Sequence, residues 1–145
     1  MEIEIHKMTK EHLGQIKDIL QTEFDEFWNA DVLDKELENS LSTYIVAISE
    51  NQVVGYAGLW QPIDEGHITN IVTKLDKRGN KIASNMLEKL IEIAKSRRLR
   101  CVTLEVNVHN EIAINLYKKY DFKEIGKRPK YYNNTDDAII MTLEF

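Results

Sequence analysis

At 145 residues, 43% hydrophobic and 30% charged, with six glycines and two prolines, the chain has the size and balance of one soluble globular domain, expected over residues 1–145, rather than a disordered tail or a fibrous repeat. A formal net charge of -5 argues against nucleic acid as a partner, since phosphate surfaces are met by clustered Lys and Arg; the densest basic run, Lys95, Arg97, Arg98 and Arg100, reads as the solvated end of a helix. No apolar run is long enough to span a bilayer, the opening "MEIEIHKMTK" lacks a signal-peptide pattern, and the single cysteine, Cys101, cannot form an internal disulfide, so no membrane partner and a cytoplasmic location are expected.

The opening "EIEIHK" alternates Ile3 and Ile5 with charged neighbours, the period of a half-buried strand. Thr9 then reads as the cap of a helix whose apolar positions Leu13, Ile16, Leu20 and Phe24 recur every three or four residues. A second, shorter helix is predicted after Trp28, starting at Asn29 or Asp31, with Val32, Leu33 and Leu37 on one face. From Thr43 the pattern becomes β: "TYIVAIS", a turn at Glu50 and Asn51, and "VVGYAGLW" read as a hairpin, and "GHITNIVT" extends it to an antiparallel meander.

After "KLDKRGNK" comes a strong helix with Ile82, Ala83, Met86, Leu87, Leu90, Ile91 and Ala94 on one broad apolar face. "CVTLEV" reads as an interior strand, and strand, long helix and strand in series predict a parallel crossover. "EIAINLYKKY" supplies another helix, with Ile112, Leu116 and Tyr120 on one row and Ala113 and Tyr117 on the next. "FKEIGKR" and "DAIIMTLEF" close the chain as strands. The order β-α-α-β-β-β-α-β-α-β-β makes an α+β domain around a mixed sheet.

Few stretches carry chemistry. The loop Arg78, Gly79, Asn80, Lys81, Ile82, Ala83 lies between a strand and a helix start, where free N–H groups and the positive dipole end suit a phosphate; by pattern alone it is also an ordinary β-α turn. Glu105 sits at a strand end as a solvated carboxylate or a functional one, Asn110 reads as an N-cap, and Tyr117 as a core tyrosine or a cleft-facing one. His6, His12, His67 and His109 have no metal-ligand spacing, so no metal is expected. Cys101 falls inside a strand and reads as a structural thiol.

Taken in this order, Trp28, "HITNIVT", "RGNKIASNML", "TLEVNVHNEIAINLYKKYDF" and "YYNNTDDAIIMTLEF" resemble the GCN5-related N-acetyltransferases (GNAT), and within them the type that acetylates the N-terminal alanine of a ribosomal protein (RimI-like). The resemblance implies a mixed, mostly antiparallel sheet of about seven strands with a splayed central parallel pair and about four helices. It implies acetyl-CoA as cosubstrate, with the backbone of Ile71, Val72 and Thr73 along the pantetheine arm, residues 78–83 on the pyrophosphate and Asn110 helping to position the cofactor. Glu105 matches the general-base position and Tyr117 the general-acid position of a direct attack by an amine. Tyr131 and Tyr132 match a loop that encloses the acceptor, before a turn at Asn133 and Asn134.

The implied acceptor is a protein N-terminal α-amine. A small amine such as a polyamine or aminoglycoside is the enzymatic alternative, and a non-catalytic acyl-CoA-binding module the other. The family loop reads R/Q-x-x-G-x-G/A, and Lys81 stands here at its first glycine; Leu75 stands where proline is common and Asp121 where glycine usually precedes the Phe122 position. If the Lys81 position requires positive φ, lysine costs about 1 kcal/mol or more there.

Overall fold

The computed structural model describes residues 2–26, 28–132 and 135–145, and the turn expected at Asn133 and Asn134 lies outside them. In chain order the elements are β1 (Glu4–Lys7), α1 (Lys10–Ile16), α2 (Ala30–Glu38), β2 (Ser42–Ser49), β3 (Gln52–Trp60), β4 (Glu65–Thr73), a single 3-10 turn (Leu75–Lys77), α3 (Ile82–Ser96), β5 (Cys101–Asn107), α4 (Glu111–Lys119), β6 (Lys123–Tyr132) and β7 (Asp136–Glu144). Local chemistry explains most of these boundaries. Thr9 caps α1 in a reciprocal box with His12, Asn29 accepts the Asp31 N–H at the start of α2, and Glu50 and Asn51, both at positive φ, form the two-residue hairpin turn between β2 and β3.

Four expectations are corrected. The first helix stops at Ile16, although Leu20 and Phe24 are still buried. Pairing replaces the helix: Phe24 bridges Lys74, and the Leu75 N–H donates to the Glu23 carbonyl at 2.8 Å. Those tertiary hydrogen bonds outweigh helical continuation beyond Ile16. Val32 is exposed, leaving Leu33 as the buried anchor of α2. Ile112 is 87% exposed instead of packed. Finally β6 runs on through Pro129 to Tyr132, so Tyr131 and Tyr132 sit on a strand end; as an edge strand, β6 tolerates the proline.

The seven strands form one sheet in the order β1-β2-β3-β4-β5-β7-β6. All neighbours are antiparallel except β4 and β5. On one face α3 buries Ile82, Met86, Leu87, Leu90 and Ala94 against the strands, and α4 packs Ala113, Leu116 and Tyr117 beside them. Full burial of a leucine such as Leu87 contributes about 2 kcal/mol. On the other face α1 and α2 cover Tyr44, Val46, Val53, Tyr56 and Val72. β6 and alternate residues of β5 remain open there.

The parallel pair is short. β4 and β5 pair only from Glu65–Cys101 to His67–Thr103; beyond that they no longer pair with each other, although β4 stays on β3 to Thr73 and β5 on β7 to Asn107. One cause is a bulge in β4 at Thr69, where Gly58 opposes Asn70 but Leu59 opposes Ile68. The Tyr44 hydroxyl reaches the Thr69 hydroxyl at 3.0 Å across Gly58. A Cβ at Gly58 would collide with that ring and hydroxyl, so glycine is what lets Tyr44 brace the bulge. The strands part and leave a gap in the middle of the sheet.

Candidate active site

One wall of the gap is the free edge of β4. The Lys74 N–H donates to the Val54 carbonyl at 2.8 Å, so Val72 and Lys74 direct their backbone groups to β3, while Ile71 and Thr73 direct theirs into the gap. Both groups of Thr73 are already engaged: its N–H donates to Asp25 Oδ1 at 2.9 Å and its carbonyl accepts from the Asp25 N–H at 2.9 Å. Of the three backbone positions singled out in the sequence, Ile71 is the one that presents unused groups to the gap.

At the end of β4 the chain enters the loop before α3. Gly79 has φ +83° and Lys81 φ +62°, both left-handed. Lys81 is the N-cap of α3 and gives no side-chain cap, and the Asn85 N–H donates to the Lys81 carbonyl at 3.0 Å as the helical ladder begins. The N–H groups of Ile82, Ala83 and Ser84 therefore have no intrahelical acceptor. They line a cleft of about 460 Å³ together with Lys77, Arg78, Gly79 and Lys81. Asn80, exposed, instead donates to the Lys77 carbonyl at 2.9 Å and braces the 3-10 turn.

The opposite wall is α4. Asn110 caps it by accepting the Ala113 N–H at 3.1 Å and also lines the cleft. Ile112, Ala113, Leu116 and Tyr117 follow along the same wall, which accounts for the unexpected exposure of Ile112. The end of the helix sets Tyr117: the Asp121 N–H donates to the Lys118 carbonyl and the Phe122 N–H to the Tyr117 carbonyl, each at 3.0 Å, a Schellman arrangement. Asp121 takes the left-handed position with φ +70°. Phe122 is buried and packs on the Tyr117 ring at 5.8 Å between centroids. Packing and cleft exposure are thus both true of Tyr117. Burial, then the charge of Glu26, pushes its phenol well above the usual range, so it holds its proton.

Asp25 and Glu26 reach the same cleft from the segment before α2. Asp25 Oδ2 lies 3.5 Å from Arg78 Nε. The Glu26 carboxyl, still open to solvent through the cleft mouth, is pushed up to about 7 by loss of hydration, with Asp25 adding.

Glu105 belongs to a second group, on the sheet face away from α3. Its side chain is 11% exposed, with Oε1 3.3 Å from Arg128 Nε. Arg128 in turn lies 5.8 Å from the Tyr131 ring centroid, and Tyr131 packs edge-on against Tyr132 at 5.0 Å. Burial, then Glu26, Tyr131 and Glu105, pushes the Tyr132 phenol up to about 12. His67, half-buried on β4, is pushed down by burial, with Glu105 opposing and Arg128 adding. Among the described residues three buried polar atoms have no partner, Tyr56 Oη, Asn70 Nδ2 and Glu105 Oε2. These belong to β3, β4 and β5, the strands at and beside the gap.

Sequence reading missed Asp25, Glu26, His67 and Arg128. Asp25, Glu26 and Arg128 stand in no motif, and His67, although it opens "HITNIVT", is weighed in the sequence only as a metal ligand; each is recruited by strand order or by the pairing of residues 23–25 with the end of β4. Cys101 is buried and free, and burial raises its thiol.

Residues 13–122 match the acetyltransferase (GNAT) family, and the chain belongs to that family. It is 33% identical over 139 residues to a protein of Bacillus subtilis (strain 168) provisionally named a [ribosomal protein bS18]-alanine N-acetyltransferase, covering 94% of this chain and 92% of that one. It is 30% identical over 112 residues to the N-alpha-acetyltransferase RimI of Mycobacterium tuberculosis, covering 74% and 69%. The fold is similar to the crystal structure of the ribosomal-protein-S18-alanine N-acetyltransferase from Escherichia coli, with a TM-score of 0.89 and 24% identity over 99% of this chain and 94% of that one.

Proposed function

We propose that this member of the acetyltransferase (GNAT) family moves the acetyl group of acetyl-CoA directly to the N-terminal α-amine of a protein, with a ribosomal protein as the favoured acceptor. The carrying observation is the parted β4–β5 pair beside a cleft that holds both a cation-lined, uncapped helix start and Tyr117, with Glu105 on β5 beyond the point where the two strands part. Kinship with the Bacillus subtilis and Mycobacterium tuberculosis proteins favours an α-amine as acceptor.

The residues suit the cosubstrate. The N–H groups of Ile82, Ala83 and Ser84, with Arg78 and Lys81 beside them, fit a pyrophosphate. Ile71 offers an N–H and a carbonyl to an amide-bearing arm, and Ile112 and Leu116 offer it apolar contact. Acetyl-CoA supplies an activated acyl group on a good leaving thiolate, so this chain need only orient the thioester and manage protons.

Glu105 accepts the proton that the attacking amine sheds, directly or through water. An α-amine has a pKa of roughly 8 and needs little help to become neutral. Tyr117, kept protonated by its surroundings, donates to the sulfur as the C–S bond breaks. Both residues return to their starting states by exchange with solvent. Cys101 is buried in β5, which favours direct transfer over an acyl-enzyme.

The test is CoA release from acetyl-CoA over peptides with free and blocked N-termini, with polyamines and aminoglycosides in parallel. Signal confined to free N-termini is expected. Signal only with small amines would move the assignment to a small-amine acetyltransferase, and binding of acetyl-CoA without transfer would make the chain a binding module.

A further inference from the structure

Glu105 is closed off in this structure. One carboxylate oxygen is held by Arg128, the other is buried without a partner, and little of the side chain meets solvent. An arriving amine therefore meets Arg128 before it meets either carboxylate oxygen. The group that closes it is informative. Arg128 is a cation, it keeps 58% of its side chain exposed, and it rests on the Tyr131 ring. A carboxylate below and an aromatic face beside it make a cup for a positive charge.

We propose that Arg128 occupies the seat of the acceptor's α-ammonium, so that acceptor binding exchanges one cation for another on Glu105. This rests on Glu105 being the base and adds a residue that sets acceptor affinity. Arg128 is a positioning residue: in the resting protein it pairs with Glu105, and it must swing out on the exposed edge strand β6 before the amine can dock. The acceptor's apparent affinity is then lowered by the fraction of molecules in which Arg128 is seated. The titratable and charged groups facing Glu105 are Arg128, Tyr131 and Tyr132 from β6 and His67 from β4. Burial, then Glu105, raises the Tyr131 phenol, and His67 is held toward its neutral form, so Arg128 is the one dependable cation in the cup at neutral pH.

The experiment compares wild type, Arg128→Gln and Arg128→Lys with a free-N-terminus peptide at saturating acetyl-CoA. Arg128→Gln is expected to lower the acceptor KM by about two- to fivefold, the worth of a partly exposed ion pair, and to leave the KM for acetyl-CoA unchanged. Arg128→Lys retains a seated cation and should stay near wild type. Methylguanidinium, added as a stand-in for the missing group, should compete with the peptide in Arg128→Gln and leave wild type unaffected. An acceptor KM that is unchanged or raised in Arg128→Gln, or no competition by methylguanidinium, overturns the proposal. Glu105→Gln separates the two readings: if it keeps full activity, Glu105 is not the base; if it is impaired while Arg128→Gln leaves the acceptor KM unmoved, only the exchange is wrong.

Discussion

Replacing Lys81 by glycine tests the phosphate loop most directly, because two opposing effects can be worked out separately. Lys81 holds φ +62° and ψ +23°, and its side chain is exposed. Left-handed backbone costs a residue with a Cβ about 1–2 kcal/mol, which glycine avoids. Glycine also gives the unfolded chain more freedom, returning about 0.5–1 kcal/mol of that gain. Lys81→Gly should therefore stabilise the fold by about 0.5–1 kcal/mol, a rise in Tm of about 2–4 °C for a chain of this size. It also removes one ammonium from the cation-lined cleft. That contact is worth about 1 kcal/mol at an exposed site, so acetyl-CoA should bind about fivefold more weakly. Lys81→Ala separates the effects, since it loses the charge and keeps the strain. It should match wild-type stability within about 0.5 kcal/mol and share the weaker binding, with the affinity loss shrinking at high salt. Urea titration and calorimetric binding read both quantities. Equal stability of the glycine and alanine variants would refute the strained backbone, and unaltered acetyl-CoA affinity in both would take Lys81 out of the phosphate site.

Tyr117→Phe keeps the ring on Phe122 and removes only the hydroxyl, so turnover should fall about 10- to 100-fold while acetyl-CoA affinity stays within about twofold; unchanged turnover would leave Tyr117 a packing residue alone. Glu26 has a carboxyl raised to about 7 in the folded protein, so the unfolded chain loses this proton first and stability falls as pH climbs from about 4.5 through 7. Glu26→Gln should match wild type near pH 4 and exceed it by about 1 kcal/mol near pH 8, after allowance for the solvent the side chain meets; a difference that does not change with pH would contradict the raised carboxyl. Replacing Tyr131 and Tyr132 together by alanine should lower kcat/KM at least about tenfold for a peptide and much less for a compact amine, and equal losses would deny them an acceptor role.

Much of the site is local in sequence. Asn110, Tyr117, Asp121 and Phe122 lie within one helix and its ends, so the N-cap, the helical spacing and the left-handed stop are set by neighbours, and "HNEIAINLYKKYDF" carries them together. The uncapped start of α3 is equally local, since Lys81 cannot cap and the glycine pattern marks the turn. What failed was read from spacing alone. Leu20 and Phe24 kept a helical interval, but residues 23–25 were drawn off to pair with the end of β4. Ile112 looked like core because it is apolar, and it lies instead on the lip of a cleft that exists only because two strands diverge.

Periodicity, caps and turn residues act over a few positions, and by themselves they determined the order of elements, the buried face of α3 and the loop that offers its N–H groups. The tertiary structure decided what those elements meet. Asp25 binds Thr73 across 48 positions, and Arg128 meets Glu105 only because β7 lies between β5 and β6 and brings the two carriers to one face. Such contacts follow from strand order and from the parting of β4 and β5, a balance of packing over the whole sheet that no short window of sequence contains.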